Sequence, residues 1–233
     1  MYKKNDTNVI FLTYISENLS TNSDRMTKRE QNKQQNDTAI VQAAIRLFAD
    51  KGLEATTIGD IVTASGLARG TFYNYYKSKD EIWEKLVEML AQRVNEAINS
   101  LRRQATNAHD FVYEAFMGYA KVLAEPLVLS LIVKNQAAFR KSLFSSHSMV
   151  SIYKDLEEDL KNSAFFDYLT PQQYQMISFS MVGAGLEIMV QSFNQDTTFS
   201  LQEAGKFFTE LFLGGMERME TFSSEKQKVK NEK

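Results

Sequence analysis

Apolar residues recur at three- and four-residue intervals along most of the chain, the spacing of helices buried on one side. The first sustained stripe, Ile40, Val41, Ala44, Ile45, Leu47 and Phe48, predicts a helix over Asp37 to Lys51 that stops at Gly52. Thr57 with Asp60 three residues on predicts a helix N-terminus, and Ile58, Ile61 and Val62 give that short helix an apolar face ending at Gly66. Leu67 to Tyr75 predicts another short helix. Two short helices parted by a glycine-containing turn form the helix-turn-helix pattern, whose second helix is shaped for a DNA major groove.

Ser78 and Glu81 then read as a capping box opening a long helix with Ile82, Leu86, Leu90, Val94, Ile98 and Leu101 on one face. Further helices are expected over Asp110 to Leu123, Pro126 to about Lys141 and Ser148 to Asn162. Two more follow, from Thr170-Pro171 to about Asn194 and from Leu201 to about Thr221. Residues 1–26 keep no sustained period and include the polar run Asn18 to Asp24, so a flexible tail is expected there. Thr27 with Glu30 forms a capping box, and Met26 directly before it makes translation from Met26 an expectation of this reading. The chain thus divides into a tail (1–26), a helix-turn-helix domain (27–80), a larger helical domain (81–222) and a solvated tail (223–233), an all-α fold.

Composition narrows the chemistry. The 233 residues carry a net charge of −2 with 24% charged and 43% hydrophobic residues, an ordinary globular balance without the excess charge of a bulk polyanion binder. Lys and Arg slightly exceed Asp and Glu over residues 26–80, and the reverse holds over 81–233, so the small module is the basic one. The absence of cysteine removes disulfides, thiolate nucleophiles and cysteine metal sites. His109 and His147 are the only imidazoles, too few for a His-rich metal cage. A helical-bundle enzyme would need clustered acid, base or metal groups such as paired Glu-x-x-His motifs, and none occurs. No stretch reaches the length of a membrane span, since Met176 to Val190 is interrupted by Glu187. A cytoplasmic protein without metal, cofactor or membrane partner is expected.

The segment Ala43 to Asp80 contains Ala44, Leu47-Phe48, Gly52, Thr56-Thr57, Ile61, Gly66-Leu67, Gly70-Thr71-Phe72-Tyr73, Tyr76 and Lys77-Ser78-Lys79. In that order and spacing it resembles the N-terminal domain of the TetR/AcrR family of bacterial transcriptional regulators. The resemblance implies a homodimeric repressor that binds double-stranded operator DNA and is released by a small-molecule effector. Carried over by position, Thr57 caps the first helix of the motif and holds a phosphate. Ala68, Arg69, Gly70 and Thr71 open the recognition helix, Tyr73, Asn74 and Tyr75 follow along it, and Lys79 reaches the DNA backbone. The chemistry suits these positions: Arg69 can take guanine in a bidentate pair, Asn74 adenine, and Gly70 permits close backbone approach. Tyr73 and Tyr75 offer hydroxyls to phosphates, while Phe72 is expected to point inward. Val62, Ser65 and Ala68 depart from the family pattern; Ala68 stands where a Ser or Thr commonly caps the helix. A protein–protein adaptor keeping only the helix-turn-helix shape is disfavoured by the presence of Thr57, Thr71, Tyr73 and Lys79.

Two further sets belong to the larger domain. The helix from Pro171 is apolar on two faces and therefore needs two partners, and it shares glycine-rich stretches with the last helix. Met181, Gly185 and Ile188 with Phe208, Phe212 and Gly215 are the expected contacts of a four-helix dimer interface. Phe116, Tyr119, Phe139, Arg140, Tyr153 and Phe179 are the expected walls of an effector pocket, suited to an apolar or amphipathic molecule. Trp83, Phe111 and Phe144 add aromatic surface, and Asn135, Gln136 and His147 add polar groups.

Overall fold

Side chains placed just ahead of the helices satisfy the amides that a helix N-terminus leaves unpaired. Thr27 caps with Glu30, Thr57 with Asp60, and Thr170 with Gln173, each pair exchanging bonds in both directions. Ser200 and Glu203 do the same. The computed structural model describes residues 9–19, 27–145, 147–193 and 196–231. Their helices are α1 (Val9–Leu19), α2 (Lys28–Lys51), α3 (Ile58–Ser65), α4 (Arg69–Tyr73), α5 (Lys79–Gln104) and α6 (Ala108–Leu123). After them come α7 (Pro126–Lys134), α8 (Gln136–Ser145), α9 (His147–Asn162), α10 (Pro171–Ser192) and α11 (Leu201–Asn231). The fold is all-α, with 82% helix and no strand among the described residues. No single helix among them is long and apolar enough to cross a membrane.

The chain forms two compact units, one from Met1–Gln92 with Leu123–Ser146, the other from Arg93–Val122 with His147–Lys233. In the first, α2 packs against α1, α3 and α7, burying Ile40, Val41, Ala44, Ile45 and Phe48. α2 starts nine residues earlier than the apolar stripe indicates, because its first turns are an exposed polar helix secured by the Thr27–Glu30 box. The segment expected to be a flexible tail contains α1, whose Phe11 and Ile15 are fully buried. Ser16 accepts a bond from the Gln42 amide at 2.8 Å, which pins α1 to α2. Met26 lies outside the described residues.

One helix was expected over Pro126 to Lys141, and the structure breaks it at Asn135. This buried side chain accepts a hydrogen bond from the Leu53 N–H and donates to the carbonyls of Phe48 (2.9 Å) and Leu131 (2.7 Å). It thereby ties the end of α2 to the end of α7. Gly52 ends α2 with φ of 89°, a conformation that favours glycine, beside the Lys134 carbonyl. Trp83, the only tryptophan, is buried in this unit, edge-on to Phe48, and its indole N–H donates to Ser142.

The second unit has its own core, centred on Phe111, Phe116, Leu156, Leu160, Ile177 and Phe208. α10 packs against both α9 and α11. α11 continues as helix through residues 223–231, which were expected to be a tail.

Asn135→Leu strands the Leu53 N–H and the Phe48 carbonyl in an apolar setting. It is expected to lower stability by about 2–4 kcal/mol in urea unfolding followed by Trp83 fluorescence.

Candidate nucleic-acid interface

A five-residue helix cannot hold itself together in water, so α4 must be fastened from outside. Phe72, fully buried, is its anchor, and Tyr76 just beyond it is also buried. Gly66 enters the turn from α3 in the left-handed region, φ 71°, where a side chain would be strained. Ala68 occupies the N-cap and gives no side-chain bond, as its methyl group dictates.

With Phe72 turned in, Arg69, Gly70, Tyr73 and Asn74 are left exposed, and Thr71 and Tyr75 are half-buried. The Arg69 guanidinium lies 6.0 Å from the Tyr73 ring centre. The structure therefore gathers the expected recognition residues on the outside of α4, with one adjustment. Asn74 is the C-cap, its N–H bonded to the Thr71 carbonyl at 3.1 Å, and Tyr75 lies beyond the helix.

Thr57 and Lys79 flank this surface, and both have partners within the chain. The Thr57 hydroxyl accepts the Asp60 N–H (3.2 Å) and donates to the Asp60 carboxylate (2.8 Å). The Lys79 ammonium donates to the carbonyls of Leu53 (2.7 Å) and Glu54 (3.1 Å), fastening the start of α5 to the loop before α3. Its third N–H makes neither of these bonds. Lys51, 2.7 Å away, holds the Asp60 carboxyl far below the ordinary aspartate range, and the Thr57 backbone and hydroxyl assist.

A further network escaped the sequence reading. The Tyr76 hydroxyl donates to Asp37 of α2, and Lys85 of α5 donates to both Asp37 (2.9 Å) and Tyr76 (2.8 Å). Burial, and then the bond to Asp37, push the Tyr76 phenol well above its usual value, so it stays protonated and keeps donating. This triangle joins α2, the residues after α4, and α5. Periodicity marks Tyr76 only as apolar; the signal available in sequence was a hydroxyl at a position that is otherwise core.

The other expected sets are dispersed. Phe139 and Arg140 belong to the first unit, whereas Phe116, Tyr119, Tyr153 and Phe179 belong to the second. Phe116 is core, 4.8 Å from the Phe208 ring, while Phe179 is half exposed and meets Tyr153 edge-on. Asn135 is fully engaged in its clamp, and the side chains of Phe144 and His147 lie outside the described residues. Of the expected dimer contacts, Met181, Gly185 and Phe208 are buried inside the unit, Ile188 and Phe212 are half-buried, and Gly215 is exposed. A Cβ on Gly185 would stand 3.4 Å from the Phe208 ring.

A buried-anchor helix behind a glycine turn, on a cap-bound support, defines a helix-turn-helix. Residues 40–86 match the family profile of bacterial regulatory proteins, tetR family. The match lies over the helix-turn-helix and the helices on either side of it. The uncharacterized HTH-type transcriptional regulator YfiR of Bacillus subtilis (strain 168) is 32% identical over 105 residues, 45% of this chain and 48% of that protein. The HTH-type transcriptional repressor KstR2 of Rhodococcus jostii (strain RHA1) is 26% identical over 137 residues, 57% of this chain and 55% of that protein. The chain spans about half the length of these curated relatives. Among solved structures, the fatty acid degradation regulator FadR from Bacillus halodurans superposes with TM-score 0.60 at 21% identity, covering 78% of this chain and 95% of that one. A TetR-family regulator from Syntrophomonas wolfei gives 0.63 at 19% identity, covering 80% and 96%. These two likenesses establish the fold.

Two outcomes are expected here. Tyr76→Phe should lower stability by about 1 kcal/mol in urea unfolding, since it removes one hydroxyl but leaves the Asp37–Lys85 pair. Asp60, whose pKa is lower folded than unfolded, contributes stability above the unfolded value and loses it only as pH falls through the folded one. Its carboxyl carbon followed by NMR should therefore show no inflection between pH 6 and about 3, the range where an unperturbed aspartate titrates.

Proposed function

We propose that this regulator is a repressor that binds operator DNA as a homodimer and is released when a small effector occupies its larger unit. The carrying observation is the exposed set Arg69, Gly70, Tyr73 and Asn74 around an inward Phe72. Arg69 offers a fork matched to a guanine edge, and Tyr73 offers a hydroxyl for phosphate. Thr57 and Lys79 provide the flanking phosphate contacts once the hydroxyl of the first and the free N–H of the second turn outward. The repressor named among the relatives supports repression.

Two half-sites are needed because one five-residue helix reads few bases. The surface suited to pairing is displaced from the one the sequence indicated. Met176 and Phe179 on α10 and Phe207 and Leu211 on α11 are 58, 50, 61 and 54% exposed, far more than isolated core side chains allow. Gly183 and Gly214 continue the same two helices, with nothing within 4 Å of a Cβ, leaving room for another helix to approach closely. We assign these residues, rather than Met181, Gly185 and Phe208, to the dimer face.

Gly70→Ala should leave the melting temperature unchanged or slightly higher, since nothing lies within 4 Å of the added Cβ and alanine favours helix. Operator affinity by fluorescence anisotropy should fall at least about tenfold, because the methyl group meets DNA. Binding by the unaltered protein should weaken steeply with salt through counterion release. Phe207→Glu with Leu211→Glu should sediment as a single subunit, retain its helical circular dichroism and lose operator affinity; a dimer of unchanged affinity would overturn the assigned face.

A further inference from the structure

The second unit carries a row of polar side chains that neither its core nor the dimer face uses. Asn95, Asn99 and Arg102 stand at i, i+4 and i+7 on α5 and so share one side of that helix. The Asn95 amide donates to Asp155 of α9, and Arg102 Nη1 donates to Asp159 Oδ2 at 2.9 Å. Even so, three buried atoms in this row have no hydrogen-bond partner: Oδ1 of Asn95, Oδ1 of Asn99 and Nε of Arg102. They are the ones so left among the described residues. The Arg102 side chain is only 8% exposed, and its guanidinium lies 5.9 Å from the Phe111 ring centre. An unmet buried polar group opposes folding, and three on consecutive turns of one helix are retained where something else completes them.

The missing partner has a definable polarity. Two of the open positions are acceptors, on residues one turn apart on the same side of the helix, and call for a donor such as an ammonium. The third is a donor one turn further on, which calls for an oxygen. Asp155 and Asp159 outnumber Arg102, so the row has one net negative charge and repels an anionic head. The Arg102 guanidinium is backed by the Phe111 ring, which belongs to the core.

We propose that Asn95, Asn99 and Arg102, backed by Asp155 and Asp159, form the polar end of the effector site. Its ligand class is a molecule headed by an ammonium beside a hydroxyl or carbonyl oxygen. This assignment rests on the effector-responsive reading above and narrows it.

The test uses the full chain with a matched pair of probes, 1-amino-2-octanol and 2-hydroxyoctanoate, which differ in the charge of the head. Calorimetry should show the amine binding at least about tenfold more tightly than the carboxylate. Asn99→Leu should weaken amine binding by at least about tenfold and raise the melting temperature of the free protein by about 2–4 °C, because an unmet oxygen is removed. A structural amide would give the opposite sign in melting. If Asn99→Leu fails to fold, Asn99→Ala supplies the affinity comparison. Equal affinity for the two probes, a lower melting temperature in a folded Asn99→Leu, or amine affinity unchanged by the substitution overturns the proposal. So does the absence of amine binding, in which case the row holds ordered water only.

Operator binding measured on the same samples separates this idea from the one beneath it. Amine binding that depends on Asn99, in a protein that ignores DNA, removes the repressor reading and keeps the site. Operator binding with no amine binding does the reverse.

Discussion

The recognition helix is too short to exist unaided, and the first unit is organised around that fact. Five residues offer α4 scarcely one turn of hydrogen bonds, far below what an isolated helix needs. Its position is imposed from beneath by Phe72, from the preceding turn by Gly66, and from the far side by Tyr76, whose hydroxyl is fixed between Asp37 and Lys85. Because the fixings come from three different helices, the outward residues cannot drift independently of α2 and α5. Preorganisation of this kind lets a small surface bind with little ordering cost.

α5 extends this argument into the second unit. Residues Lys79–Gln92 pack with the first unit and Arg93–Gln104 with the second, along one unbroken helix. At its start Lys79 holds the loop before α3, and toward its end lies the row Asn95, Asn99 and Arg102. α5 is thus a single helix whose start supports the motif and whose end carries the polar row.

Much of the fold was legible in sequence because caps and apolar spacing are local signals. Thr57, Thr170 and Ser78 were readable as helix starts, and Phe72 as an inward residue, from neighbours within four positions. What escaped depends on distant partners. α1 was read as a tail because the surface that buries Phe11 and Ile15 belongs to α2. The break at Asn135 was invisible because its compensation comes from Phe48 and Leu53, more than eighty positions away. α10 is apolar on two faces, and periodicity did not say which one meets α11; Met181 and Gly185 went inward and Met176 and Phe179 stayed out. The polar row escaped for a related reason: single Asn and Arg residues in a long helix ordinarily face water.

The Asn135 clamp has a bearing on modularity. A DNA-reading head is easily imagined as a cassette that ends where the long helix begins. Here its flank is closed by a pair of helices encoded after that point, and one amide from them completes the end of α2. A chimaera that borrowed only the contiguous segment would inherit an open seam and an unanswered Leu53 N–H. Exchange between such proteins is therefore constrained to carry both stretches together.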